Sequence, residues 1–181
     1  MILDAAKAGI AIFVLAVLQL SSLPLLVPGT ATPDLLLILV VAVALTRGAE
    51  AAALTGFAAG QLLDAMLVGN LGISSLLYIA AGVWVAFQVE PSDSVVVPAT
   101  PALPSPARQY FYVFVAASMV QIGLGAAHVL LGDGYPLRYT LTQIALPTVV
   151  ETTVVSLVLL PLLRRLFPYR LRLDGYAVPA A

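Results

Sequence analysis

The sequence predicts an all-α integral membrane protein of about six transmembrane helices, with both termini cytoplasmic. Three observations carry this. Of 181 residues, 61% are hydrophobic and 9% charged, whereas a soluble domain carries about 25% charged residues. Proline, glycine and charged punctuation divides the apolar sequence into six segments of helical length. With six spans and a cytoplasmic N-terminus, Lys7, Arg47, Arg108, Arg164, Arg165, Arg170 and Arg172 face the cytoplasm and Arg138 alone faces out. Basic residues near span ends favour the cytoplasmic side, and removing any one span would divide them between the two sides.

The first span covers 8–27. No small-residue cleavage pattern follows it, so it reads as a retained span rather than a removed signal peptide. Gln19, a single polar residue within it, reads as a helix–helix hydrogen bond. Pro24 and Pro28 bend or end the helix. Pro33-Asp34 opens the second span, 33–46, because proline suits the first helical position and an acid suits the positive helix N-terminus. Leu35 to Thr46 is strongly apolar. At about 1.5 Å per residue it falls short of a hydrocarbon core of about 30 Å. It must be tucked against other helices, or the bilayer must thin around it. Arg47-Gly48 turns the chain into the third span, 50–68, and Gly69-Asn70 into the fourth, 71–88. Trp84 and Phe87 fit an interfacial aromatic belt.

Residues 90–107 form a Pro-rich cytoplasmic loop containing Pro91, Pro98, Pro101, Pro104 and Pro106, in which Val95-Val96-Val97 is either a short strand or part of a disordered linker. Arg108 precedes the fifth span, 109–131, which opens with another interfacial cluster, Tyr110, Phe111, Tyr112 and Phe114. The sixth, 139–166, contains Pro147, Glu151 and Pro161. Its Arg-rich tail reads as an ordinary stop or as a contact for anionic lipid. The chain thus forms a single polytopic domain, 1–181.

The residues leave little room for catalysis. A net charge of -1 gives no basis for a nucleic-acid partner, and the absence of cysteine excludes disulfides and thiolate metal sites. His128 is the only histidine and Lys7 the only lysine, so neither a histidine metal cluster nor a lysine-bearing phosphate loop is available. No nucleophile signature links Ser118 to His128. No catalytic, cofactor or metal residue is assigned. What stands out is a ridge of small residues: Ala52, Gly56, Gly60 and Asp64 recur every four positions, the spacing that lets a second helix approach closely. Asp64 and Glu151 are acids inside spans and therefore candidates for an intramembrane polar site. Each alternatively caps a helix or bonds a polar neighbour: the start of the fourth span for Asp64, and Thr148, Thr152 and Thr153 for Glu151.

Pro33-Asp34-Leu35, then Gly56-Phe57-Ala58-Ala59-Gly60-Gln61-Leu62-Leu63-Asp64, then Gly72 and Tyr78, resembles the bacterial rod shape-determining MreD family, and Pro161-Leu162-Leu163-Arg164-Arg165-Leu166 is similar to that family's last helix. The long Pro-rich loop and Glu151 depart from the family pattern. The resemblance implies a non-catalytic inner-membrane component of the cell-elongation complex, without cofactor. It implies binding to MreC through that protein's span and extracytoplasmic domain. Through it would come indirect contact with MreB, with RodA and with its penicillin-binding transpeptidase. Helix packing would rest on Ala52, Gly56, Gly60, Asp64, Pro33 and Asp34, and a homo-oligomer remains open. The family's fold is similar to the S components of energy-coupling-factor transporters, so a small-molecule-binding transport subunit is the alternative. A proton-coupled carrier using Asp64 and Glu151 is a third reading.

Overall fold

A computed structural model describes residues 2–21, 32–67, 72–89, 104–132 and 139–167. The described residues form six α-helices and no strand: α1 (Ile2–Ser21), α2 (Leu35–Arg47), α3 (Ala49–Leu67), α4 (Ile73–Val89), α5 (Pro106–Leu131) and α6 (Leu146–Leu166). A π-helical segment, Thr140–Ala145, runs directly into α6. The α5 helix, and α6 taken with its lead-in from Leu141, are long and apolar enough to cross a membrane; α2, α4 and Ala6–Ser21 of α1 are shorter apolar helices.

The centre of the bundle is α2. Every residue from Leu35 to Thr46 is buried. A helix apolar on all sides has no face for water and must be surrounded, and α1, α3, α4, α5 and α6 all pack against it. Of the two resolutions open to so short a helix, the structure has the first: it is tucked among its neighbours. At Gly48 the chain reverses with φ of 84°, a backbone conformation that favours glycine. The Gly48 carbonyl then accepts the first bond of α3, from Ala52 N–H.

Helix boundaries depart from the sequence reading in several places. The first helix begins at Ile2, not at 8. The fifth begins at Pro106, inside the expected 90–107 loop, because Ser105 is its N-cap and Pro106 fits the first helical turn. The sixth is not α-helical from its start. Pro147 lacks the N–H that would bond the carbonyl of Gln143, and its ring would clash there. The wider turns of Thr140–Ala145 avoid that clash, with Leu146 N–H bonded to Leu141 O. Trp84 packs edge-on against the buried ring of Tyr112, centroids 6.1 Å apart, whereas Phe87 is exposed. Residues 22–31, Asn70, Arg138, Asp133 and Tyr135, the Val95–Val97 stretch and the tail with Arg170 and Arg172 lie outside the described residues.

Contacts set the levels along the bundle. Gln19 meets Leu35, and Tyr78 and Thr152 meet Asp34, at one level; Trp84 with Tyr112 and Gln109 with Arg164 lie toward the other end. Among the described residues, Lys7, Arg47, Arg108, Arg164 and Arg165 all lie toward that second end.

Candidate functional site

The polar residues of the interior converge on the first turn of α2. A helix leaves its first four N–H groups without intrahelical partners, and burial makes each of them costly to leave unbonded. Here each is accounted for. Gln19 Oε1 on α1 accepts from Leu35 N–H at 3.0 Å and from Leu36 N–H at 3.3 Å. Asp34, the N-cap, accepts from Leu37 N–H through Oδ1 at 3.0 Å, and its own carbonyl accepts from Ile38 N–H at 3.3 Å. The Asp34 N–H donates to Thr152 Oγ1 on α6 at 2.9 Å. The hydroxyl of Tyr78, on α4, lies 2.7 Å from both carboxyl oxygens of Asp34 and donates to them. Gln19, Asp34, Tyr78 and Thr152 are all buried. The positive end of the α2 dipole adds to the fit of a carboxyl at this place. The cluster therefore ties α1, α4 and α6 to the central helix, with its donors and acceptors matched to one another.

The small-residue ridge is a second piece of the same framework. It faces α4, which runs antiparallel to α3. A Cβ on Gly56 would come within 2.9 Å of the Tyr78 backbone, and one on Gly60 would fall inside the van der Waals radius of the Ser74–Ser75 backbone. Ala52 lies opposite Gly82. Asp64 ends the ridge: its Oδ2 accepts from Gly72 N–H at 2.7 Å and Ser74 N–H at 3.3 Å, capping the start of α4. Ser75 donates to Phe57 O across the same seam. The ridge is thus covered by the chain's own fourth helix.

Glu151 is placed differently. It is partly buried on α6, next to Thr152, and its Oε2 is shut off from solvent yet bonded to nothing among the described residues. Asp34 and Asp64 belong to the framework on either side of α4; Glu151 does not join it. Toward the opposite end, Arg164 donates to Gln109 Oε1 at 2.6 Å, and Gln109 donates to the Pro104 carbonyl, which locks α5 to α6. His128 lies exposed in the last turn of α5. The described residues contain no group of three or more His, Asp or Glu able to hold a metal ion.

Sequence reasoning singled out Pro33, Asp34, Asp64 and the glycines, but not the partnership of Gln19, Tyr78 and Thr152 with Asp34. The reading of Gln19 as a helix–helix hydrogen bond holds, since its Oε1 accepts from Leu35 and Leu36 N–H on α2. Nothing in the spacing marks Thr152 or Gln109.

No protein-family model, no curated protein and no solved structure matches this chain. The fold and the site define a class: an all-helical bundle around a buried central helix, with two helices long and apolar enough to cross a membrane.

Proposed function

We propose that this chain is a multi-pass scaffold of the bacterial inner membrane, of the rod shape-determining MreD type, with six spans and cytoplasmic termini. In this reading it is not an enzyme. It holds MreC in the cell-elongation complex, and through it supports the work of MreB, RodA and the penicillin-binding transpeptidase on peptidoglycan and cell shape. One observation carries the reading. The stretches that give the resemblance, Pro33-Asp34, Gly56 to Asp64, Gly72 and Tyr78, meet as one interlocked unit whose polar atoms bond each other. Such a unit suits a rigid support. The gathering of Lys7, Arg47, Arg108, Arg164 and Arg165 toward one end suits a cytoplasmic face there.

Two experiments test it. Single cysteines replacing Ser105 and Asp133, in a chain with no native cysteine, are treated with a membrane-impermeant thiol reagent on intact cells. Labelling at position 133 and not at 105 is expected; the reverse overturns the topology. Depletion is then expected to round or swell a rod-shaped cell, and co-expression with MreC to yield a detergent-stable complex. Copurification with an ATPase and a bound small molecule, with cell shape unchanged, would replace the scaffold with the transport-subunit alternative.

A further inference from the structure

The start of α5 and the end of α6 meet at one corner of the bundle, and that corner carries positive charge with no acid to balance it. Arg164 of α6 donates to Gln109 Oε1 of α5, so its guanidinium meets a neutral amide and no carboxylate. Gln109 is itself tied to the Pro104 carbonyl, which holds the two helix ends in place. Arg108, beside Gln109, and Arg165, beside Arg164, are both exposed. Neither α4 nor α5 contains an Asp or Glu, and the one acid of α6 is Glu151. It lies thirteen residues from Arg164, about 20 Å at the helical rise. None of the three arginines forms an ion pair among the described residues.

Aromatic side chains surround the same corner. Tyr112 follows Arg108 by four residues and so shares its face of α5. Its ring meets that of Trp84 on α4, which places Trp84 about one helical turn from the level of Arg108. Phe87, Phe111 and Phe114 are exposed around them. Such rings sit at the headgroup level of a bilayer. The anion present at that depth is a lipid phosphate.

We propose that this corner binds the phosphate headgroup of an acidic phospholipid, met by Arg108 and Arg165 with Arg164 behind them, while the acyl chains lie against the aromatic residues. A cluster of one sign attracts counter-charge, and basic residues between spans on the cytoplasmic side suit acidic headgroups. The site draws on two helices and does not depend on Arg170 or Arg172. The inference rests on the membrane scaffold reading and adds a lipid to the scaffold's partners.

Trp84 is the only tryptophan in the chain, so its fluorescence reports on this corner alone. The full-length protein is placed in phosphatidylcholine vesicles that contain either brominated phosphatidylglycerol or brominated phosphatidylcholine, and quenching of Trp84 is compared. Phosphatidylglycerol is expected to be favoured by about fivefold for each arginine it meets. Arg108→Gln, at an exposed position without hydrogen-bond partners, is expected to lose about one such factor, and the double variant with Arg165→Gln more. Lys7→Gln removes a charge from the same end of the bundle but from α1, which packs on α2 and α3, and is expected to keep the preference. Soluble glycerol phosphate is expected not to compete. Equal quenching by the two lipids, or a preference that survives the double variant, would overturn the proposal. So would an equal fall with Lys7→Gln, which marks a diffuse surface potential, or displacement by glycerol phosphate or a soluble poly-glutamate peptide, which marks a different ligand. Each of these outcomes leaves the scaffold reading standing if the complex with MreC still forms. Failure of the protein to enter vesicles at all overturns the membrane reading itself.

Discussion

Tyr78 donates its hydroxyl to the carboxyl of Asp34, 44 residues earlier in the chain, at 2.7 Å from each oxygen. This bond joins α4 to the cap of the central helix, and both side chains are buried. Removing the hydroxyl leaves a buried carboxyl short of a donor, at a cost of about 1–3 kcal/mol. Tyr78→Phe is therefore expected to lower the melting temperature in detergent, while Leu76→Phe, at an exposed position on the same helix, leaves it unchanged. Equal melting of the two would show that the bond contributes nothing to the fold.

Gly60 faces backbone, not a side chain that can turn aside. Even Gly60→Ala is expected to force α3 and α4 apart, at about 1–3 kcal/mol, the usual range for overpacking. Gly60→Leu is expected to be worse. Ala126→Leu, on the exposed side of α5, is the comparison, and thermal melting with yield after detergent extraction separates them. Indistinguishable variants would contradict the close approach.

Asp64 acts on α4 through two backbone N–H groups. Asp64→Asn keeps an oxygen acceptor and is expected to be mild. Asp64→Leu removes the cap and is expected to cost about 0.5–2 kcal/mol. Hydrogen exchange at Gly72 and Ser74 is the direct readout, faster in the leucine variant. If cell-shape complementation is lost equally in both variants, the charge itself is essential and the capping account is insufficient.

Gln109 links Arg164 of α6 to the Pro104 carbonyl ahead of α5. Gln109→Leu is expected to cost about 1–3 kcal/mol, because Arg164 loses its acceptor inside the bundle. The double variant with Arg164→Leu should recover part of that loss. A double-mutant cycle with no coupling would place the two side chains outside each other's influence.

That the described chain is helical, roughly where its helices lie and which short stretches are unusual can all be read from the residues in order. The helices follow from long apolar runs punctuated by Pro and Gly, and the opening of α2 is a local matter of caps, although Asp34 is the N-cap and Leu35, not the expected Pro33, is the first helical residue. The reach of Asp64 to the start of α4 is local too, since only a short turn separates them. What lies at the centre depends on how the helices pack. Apolar periodicity cannot distinguish α2, covered on every side, from α6, whose outer face carries Val150, Val154 and Val158 in the open. Nor does any spacing announce that Gln19, Tyr78 and Thr152 serve the cap of a helix far from them in sequence. The sequence offers a partner to each intramembrane acid, the nearby start of α4 to Asp64 and the surrounding threonines to Glu151; the first contact forms, and Glu151 Oε2 is left without a partner among the described residues. The contacts to Asp34 have no such local signal, because a hydrogen bond between distant segments depends on their approach in space and leaves no periodic trace in a single chain.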